Sequence, residues 1–173
     1  DASRPANDNP ASNRDGLVAG KDTISGEEGA DVIFGDHGVV TQALAANQRI
    51  LNVRTIRDLR SDQPANGADD TIHGNAGSDR IFGGNGSDTI TGDGNADIVF
   101  GDQGHITYTG ADLTTLQLIE SVDTAASYGA GDSITDDDSD DIIMGGQGAD
   151  TITAGAGDNL VFGDNGQITA ATE

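Results

Sequence analysis

Along most of the chain an aliphatic residue recurs every nine positions, and two residues before it stands an acid. Laid out in nines, the middle of the chain reads GNAGSDRIF (74–82), GGNGSDTIT (83–91) and GDGNADIVF (92–100). Frames of the same length cover three blocks, 17–34, 65–100 and 127–162. Their sixth position holds Asp22, Asp31, Asp70, Asp79, Asp88, Asp97, Asp132, Asp141 and Asp150, with Asn159 the exception. Their eighth position holds Ile24, Ile33, Ile72, Ile81, Ile90, Val99, Ile134, Ile143, Ile152 and Val161. Asp-x-Ile has the period of two of a short strand that turns its aliphatic side chain inward. The Gly-rich half of each frame has to turn through φ > 0, which Gly tolerates and Asn or Asp sometimes do. Two frames then make one coil, with a strand on each face and a turn on each edge. Stacking such coils buries one Ile/Val column per sheet.

Composition alone points elsewhere. The 173 residues include 30 acidic and 8 basic ones, for a net charge of −22, and only 34% are hydrophobic. Low hydrophobicity with high charge describes a disordered chain. A disordered acidic tract, however, has no reason to keep carboxylate and aliphatic in step through every frame. With 3% aromatics the composition excludes a large aromatic core. So acidic a chain also lacks the clustered Lys/Arg of a nucleic-acid surface. No apolar run approaches the ~20 residues of a membrane span. There is no Cys, hence neither a disulfide framework nor a thiolate metal site.

The pattern resembles the RTX nonapeptide, GGxGxDxUx, of secreted bacterial proteins, most closely at Gly83–Thr91 and Gly145–Thr153. That resemblance implies an all-β, right-handed parallel β-roll or β-solenoid whose turns bind several Ca²⁺ ions. The chemistry of the residues agrees. Stacked carboxylates repel unless a cation lies between them. Ca²⁺ takes six to eight oxygens in flexible geometry, whereas Mg²⁺ demands a tighter octahedron. Zn²⁺ lacks its thiolates here, and His is scarce. The expected ligands are the sixth-position residues, including the neutral and weaker Asn159. Backbone carbonyls of the turns at Gly26, Gly29, Gly74, Gly77, Gly83, Gly86, Gly92, Gly145 and Gly148 would join them. One coil of separation pairs Asp70 with Asp88, Asp79 with Asp97, Asp132 with Asp150 and Asp141 with Asn159. Turns that depart from the pattern at position four (Ala68, Asn95, Ala130, Ser139) mark the weaker matches.

Each block closes alike, with Phe34-Gly35-Asp36-His37-Gly38, Phe100-Gly101-Asp102-Gln103-Gly104 and Phe162-Gly163-Asp164-Asn165-Gly166. Asp36, Asp102 and Asp164 read either as alternative metal ligands that end a ladder or as plain Asx-turn residues. An aliphatic-Thr strand follows each motif. The resulting division is a polar linker at 1–16, blocks at 17–41, 65–107 and 127–169, and inserts at 42–64, 108–126 and from 170 onward. The inserts read as β-hairpins interrupting the roll, with Ile50–Ile56 matching Leu116–Val122. A short helix through Leu113–Val122 is the competing reading. The first insert holds Arg49, Arg54, Arg57 and Arg60, either lying against acidic turns or forming a contact patch.

No catalytic constellation stands out. Gly131-Asp132-Ser133-Ile134 spells an esterase tetrapeptide but falls in register with the repeat, and the three His residues hold unrelated repeat positions. The expectation is therefore a non-enzymatic calcium-binding structural or adhesive module of a large secreted or cell-surface protein, with neighbouring repeat units or a surface partner as its contacts. The alternative is the secretion and folding domain at the carboxy-terminal end of a type I-secreted enzyme or toxin. An insert that starts at Gln167 and stops at Glu173 suits a segment of a longer repetitive chain.

Overall fold

The computed structural model describes residues 19–43, 55–109, 115–122 and 128–171. The polar linker at 1–16, Arg49, Arg54 and positions 50–54 of the expected first hairpin lie outside the described residues, as do 172–173. The strands in chain order are β1 (Thr23–Ser25), β2 (Val32–Phe34), β3 (Gly38–Gln42), β4 (Ile56–Ser61), β5 (Thr71–Ala76), β6 (Arg80–Phe82), β7 (Thr89–Gly94), β8 (Ile98–Phe100), β9 (Gly104–Tyr108), β10 (Leu116–Ser121), β11 (Ser133–Thr135), β12 (Ile142–Met144), β13 (Thr151–Thr153), β14 (Leu160–Phe162) and β15 (Gln167–Thr169). Among the described residues no helix is long and apolar enough to cross a membrane.

Three five-stranded sheets result: β1-β5-β7-β11-β13 and β2-β6-β8-β12-β14, both parallel, and the antiparallel β3-β4-β9-β10-β15. The chain alternates between the two parallel sheets, so five coils stack in sequence order. Register places the eighth-position residues in two columns. Ile24, Ile72, Ile90, Ile134 and Ile152 lie opposite one another in the first sheet. Ile33, Ile81, Val99, Ile143 and Val161 do so in the second. Together they form the core between the sheets, with Ile72, Ile81, Val99 and Ile143 at 0% exposure.

The inserts do not interrupt this stack. Ile24 pairs with Ile72 across the first and Ile90 with Ile134 across the second. The reason is that each insert leaves and re-enters through a turn on the same edge, so the next coil lands in ordinary register. The segment through Leu116–Ser121 is strand rather than helix, because β9 and β15 supply backbone partners on both sides. Its counterpart in the first insert is Ile56–Ser61, not Ile50–Ile56. The first hairpin has the longer loop, which misleads a fixed-offset match.

A further core layer overturns the expectation of one thin aliphatic core. The second sheet is apolar on both faces apart from Arg80: its flanking positions read Val-x-Phe, Arg-x-Phe, Ile-x-Phe, Ile-x-Met and Leu-x-Phe. The antiparallel sheet covers that face with Ile56, Leu59, Ile106, Tyr108 and Ile119. All four Phe residues fall in one column, and the rings of Phe34, Phe82 and Phe100 stack at centroid distances of 4.6 and 5.0 Å. The closing motif now has a steric cause. A Cβ at Gly38, Gly104 or Gly166 would strike the ring of Phe34, Phe100 or Phe162, so Gly is required at the head of β3 and β9 and just before β15. The first sheet instead turns Thr and Ser outward, in register at Thr23, Thr71, Thr89, Ser133 and Thr151.

Polar groups link the antiparallel strands across their outer side. The His105 ring is flanked by Asp58 Oδ2 at 2.8 Å and Glu120 Oε1 at 3.1 Å, and Gln167 donates to Glu120 Oε2 at 2.6 Å. Burial alone would lower the His105 pKa, but the two carboxylates outweigh it and raise it. Arg57 donates to the Thr109 carbonyl at 2.8 Å, so it bridges the two inserts rather than facing an acidic turn.

Phe82→Ala should therefore destabilise the calcium-loaded chain by about 3–5 kcal/mol, the usual loss for a buried ring. Thr89→Ala, on the exposed face, should change stability by less than about 0.5 kcal/mol. Denaturant unfolding of both variants checks the difference, and equal midpoints would contradict the second core layer.

Candidate metal centre

Each sixth-position Asp closes a Gly-rich turn immediately before a strand, so stacking the coils stacks these residues. Their backbone N–H groups and carboxylates interlock. On the edge that carries the inserts, Asp22 N–H donates to Asp70 Oδ1 at 2.7 Å and Asp70 to Asp88 at 2.7 Å. The same edge continues from Asp88 to Asp132 at 2.8 Å and from Asp132 to Asp150 at 2.9 Å. On the plain edge the chain runs Asp31 to Asp79 (2.8 Å), Asp79 to Asp97 (2.7 Å), Asp97 to Asp141 (3.0 Å) and Asp141 to Asn159 (2.9 Å). The four pairs expected at one coil of spacing are adjacent. Four more, separated by 44 or 48 residues of sequence, become adjacent only because the inserts loop out.

From the second coil on, Oδ1 is thus used by the amide of the preceding coil, and Oδ2 is left. The Oδ2 atoms of Asp31, Asp70, Asp79, Asp88, Asp97, Asp132, Asp141 and Asp150 are buried without a hydrogen-bond partner. Buried polar atoms are normally satisfied. A column of orphans repeated in every coil calls for a cation. The first glycine of each turn shows what else is present. A Cβ on Gly74 would lie 2.6 Å from Asp79 Oδ2 and 2.6 Å from the Gly92 carbonyl oxygen. A Cβ on Gly26 would meet the Gly74 carbonyl at 2.6 Å and Asp31 Oδ2 at 3.0 Å. Gly35, Gly83, Gly101 and Gly145 face the same pair of atoms, one Asp Oδ2 and one glycine carbonyl of the next coil. Carboxylate and carbonyl oxygens, with no sulfur or imidazole, form a donor set for a hard cation such as Ca²⁺.

Electrostatics give the same reading. Burial pushes the carboxyl of Asp79 up to about 6, Asp88 to about 7, Asp97 to about 8 and Asp132 to about 9. The amide hydrogen bond each one accepts opposes the rise, and neighbouring carboxylates add to it. Asp70, Asp141 and Asp150 are raised for the same first reason. A cation at the Oδ2 column would reverse these shifts.

The remaining expected ligands divide. The carbonyls of Gly74, Gly83, Gly92 and Gly145 stand beside an Asp Oδ2, as do those of Gly101 and Gly163, which sequence reasoning missed. Gly29, Gly77, Gly86 and Gly148 have φ of 124°, 137°, 151° and 118°, the left-handed region that favours glycine. A Cβ on Gly77, Gly86 or Gly148 would strike the backbone of the preceding coil, so these glycines serve close stacking. The ladder does not stop at Asp36 or Asp102, because the amide chain crosses each insert, from Asp22 to Asp70 and from Asp88 to Asp132. Asp36 and Asp102 accept backbone N–H groups, Asp36 from Ala68 at 3.3 Å where the chain returns from the insert and from Asn85 at 2.7 Å one coil on, Asp102 from Gln147 at 2.5 Å. Asp164 is exposed, and its charge raises the Asp150 pKa. Asp136 was not singled out by sequence reasoning. It stands at the first position of its frame, where a glycine is usual, and its burial to 6% exposure beside Asp97 and Asp141 is visible only in the structure.

A family model described as the RTX calcium-binding nonapeptide repeat matches residues 18–39, 73–105 and 135–167, about half of the chain. No curated protein and no solved structure matches it.

In the absence of a cation, a carboxyl whose pKa is higher folded than unfolded favours the folded state in acid. That advantage is lost as pH rises through the folded values. In chelator the β-structure should therefore be greatest near pH 4 and decline through the window from about 6 to about 9 set by Asp79, Asp88, Asp97 and Asp132. Circular dichroism against pH checks the sign. A β signal that climbs from pH 4 to pH 9 in chelator would contradict it.

Proposed function

The chain belongs to the RTX calcium-binding nonapeptide repeat family, and on that footing we propose that it is a calcium-folded structural and adhesive repeat module of a secreted or cell-surface bacterial protein. Its two parallel sheets form the faces of one right-handed β-roll. Calcium ions lie between coils, held by Asp22, Asp31, Asp70, Asp79, Asp88, Asp97, Asp132, Asp141, Asp150 and Asn159 together with the glycine carbonyls beside them. Asp36, Asp102 and Asp164 position the turns that adjoin these ligands.

The observation that carries this reading is the column of buried, unpartnered Oδ2 atoms on both edges. A protein that held those carboxylates together without a counter-ion would bear like charges at close range in every coil, on a chain of net charge −22. Ca²⁺ supplies the missing positive charge and accepts the spare oxygens, so binding and folding become one event. Such coupling suits a chain that crosses a type I export channel unfolded in low calcium and orders itself outside. Neighbouring repeat units are the natural partners. β13, β14 and β15 are each the last strand of their sheet, and Leu160 and Val161 there remain 44% and 43% exposed. Open strand edges with apolar side chains invite a further coil.

Circular dichroism should show coil in chelator and β-structure once calcium reaches the sub-millimolar to millimolar range typical of extracellular modules. A full β spectrum in excess chelator at neutral pH overturns the reading. Stoichiometry gives a second check. Asp88 is shared between the Asp70 and Asp132 rungs, so Asp88→Ala should lose about two ions. Asp158→Ala changes an exposed residue and should lose none; equal losses would mean that the ladder is not the binding element.

A further inference from the structure

We propose that Asp97, Asp136 and Asp141 form a three-carboxylate cation site unlike the other rungs, which fills first and clamps the fourth coil onto the third. The inference rests on the calcium reading above and assigns one ligand, Asp136, that the repeat pattern does not supply.

The other plain-edge turns show what is ordinary. There the first residue of the frame is Gly26, Gly74, Gly92 or Ala154, and Gly74 and Gly92 each offer a neutral carbonyl to the coil before. In the fourth coil that residue is Asp136. Its carboxylate, not a carbonyl, occupies the place a Cβ on Gly92 would take, with Cγ 2.6 Å from it. Asp97, Asp136 and Asp141 each bring an oxygen within 4.8 Å of the others. All three residues are at most 6% exposed, and all three Oδ2 atoms are buried and unpartnered. Their other oxygens are already committed. Asp97 Oδ1 accepts from Asp79 N–H at 2.7 Å, Asp141 Oδ1 from Asp97 N–H at 3.0 Å and Asp136 Oδ1 from Asp137 N–H at 3.1 Å. Three buried acids, each with one spare oxygen, therefore stand together with ligand atoms within 4.8 Å of one another.

The rest of this acidic run is otherwise engaged. Asp137 accepts from Ser139 N–H at 2.8 Å, Asp138 from Ala156 at 3.3 Å and Asp140 from Asp158 at 2.8 Å, so they shape this turn and the next. The site thus takes Asp136 and Asp141 from a run that composition alone would dismiss as solvated, and Asp97 from the coil before. Replacing a neutral carbonyl by a carboxylate adds a full charge to the ligand set, and oxygen sites for Ca²⁺ tighten as their charge rises. Location matters as well. The third and fourth coils are joined across 44 residues of sequence, and closing that loop carries an entropic cost that a strong rung offsets.

Calorimetric titration of the full chain with Ca²⁺, paired with terbium luminescence under direct excitation, tests the assignment. The wild-type chain should show one ion bound at least about tenfold more tightly than the rest, and terbium should enter that site first. Asp136→Asn should lose the tight step and keep the weaker ones. Asp136→Gly, which restores the residue usual at this position and so guards against a folding defect, should do the same. A single class of sites in the wild type, or a tight step that survives both substitutions, overturns the proposal while leaving the calcium reading intact. A wild-type chain that binds no calcium at all would remove both.

Discussion

Every coil depends on the way one carboxylate is divided. From the second coil on, each sixth-position Asp uses one oxygen to receive an amide from the coil before, which sets the spacing and register of the stack. The other oxygen is thereby held at the turn, dry and unpaired. The hydrogen bond that builds the ladder thus also creates the charge problem that the ladder must solve. Neither half works alone. Without the amide contact the acids have no fixed position, and without a cation their positions repel one another. Glycine at the head of six of these turns, at Gly26, Gly35, Gly74, Gly83, Gly101 and Gly145, follows from the same arrangement, because oxygens crowd the place where a side chain would begin.

Much of this was legible in the residues. The Asp-x-Ile frame is a local signal of period two inside a period of nine, and both columns of the inner core occupy the positions it marks. Hydrogen-bonded Asp pairs one coil apart were equally readable, since they need only a constant repeat. Contacts across the inserts were not. Asp88 to Asp132 and Asp97 to Asp141 depend on where a loop returns, and no fixed period records that. Asp136 escaped because it breaks the frame at a position reserved for glycine, inside a run of acids that looks like solvated surface.

The third sheet is an instructive miss, for its signal was present. Frames of the first parallel sheet read Thr-Ile-Thr or Ser-Ile-Thr, and their outer positions face water. Frames of the second read Ile-Val-Phe or Ile-Ile-Met, apolar on both sides. A strand that is apolar on both faces has to be covered on both. The Phe column could thus have announced a second layer before any fold was known. In the sequence the same residues also mark the close of each block, and a chain with 3% aromatics gives little ground to expect that they build a layer.

Because both inserts depart from and rejoin the same edge, the hairpin and the ladder are separate variables of the architecture. The loop between β3 and β4 is longer than that between β9 and β10, yet the coils beneath them stack identically. Lengthening a hairpin shifts no rung, and adding a coil alters no hairpin. A chain built this way can grow along its axis at a constant pitch while its decorated flank diversifies freely. It is a ruler whose markings and whose handles evolve independently.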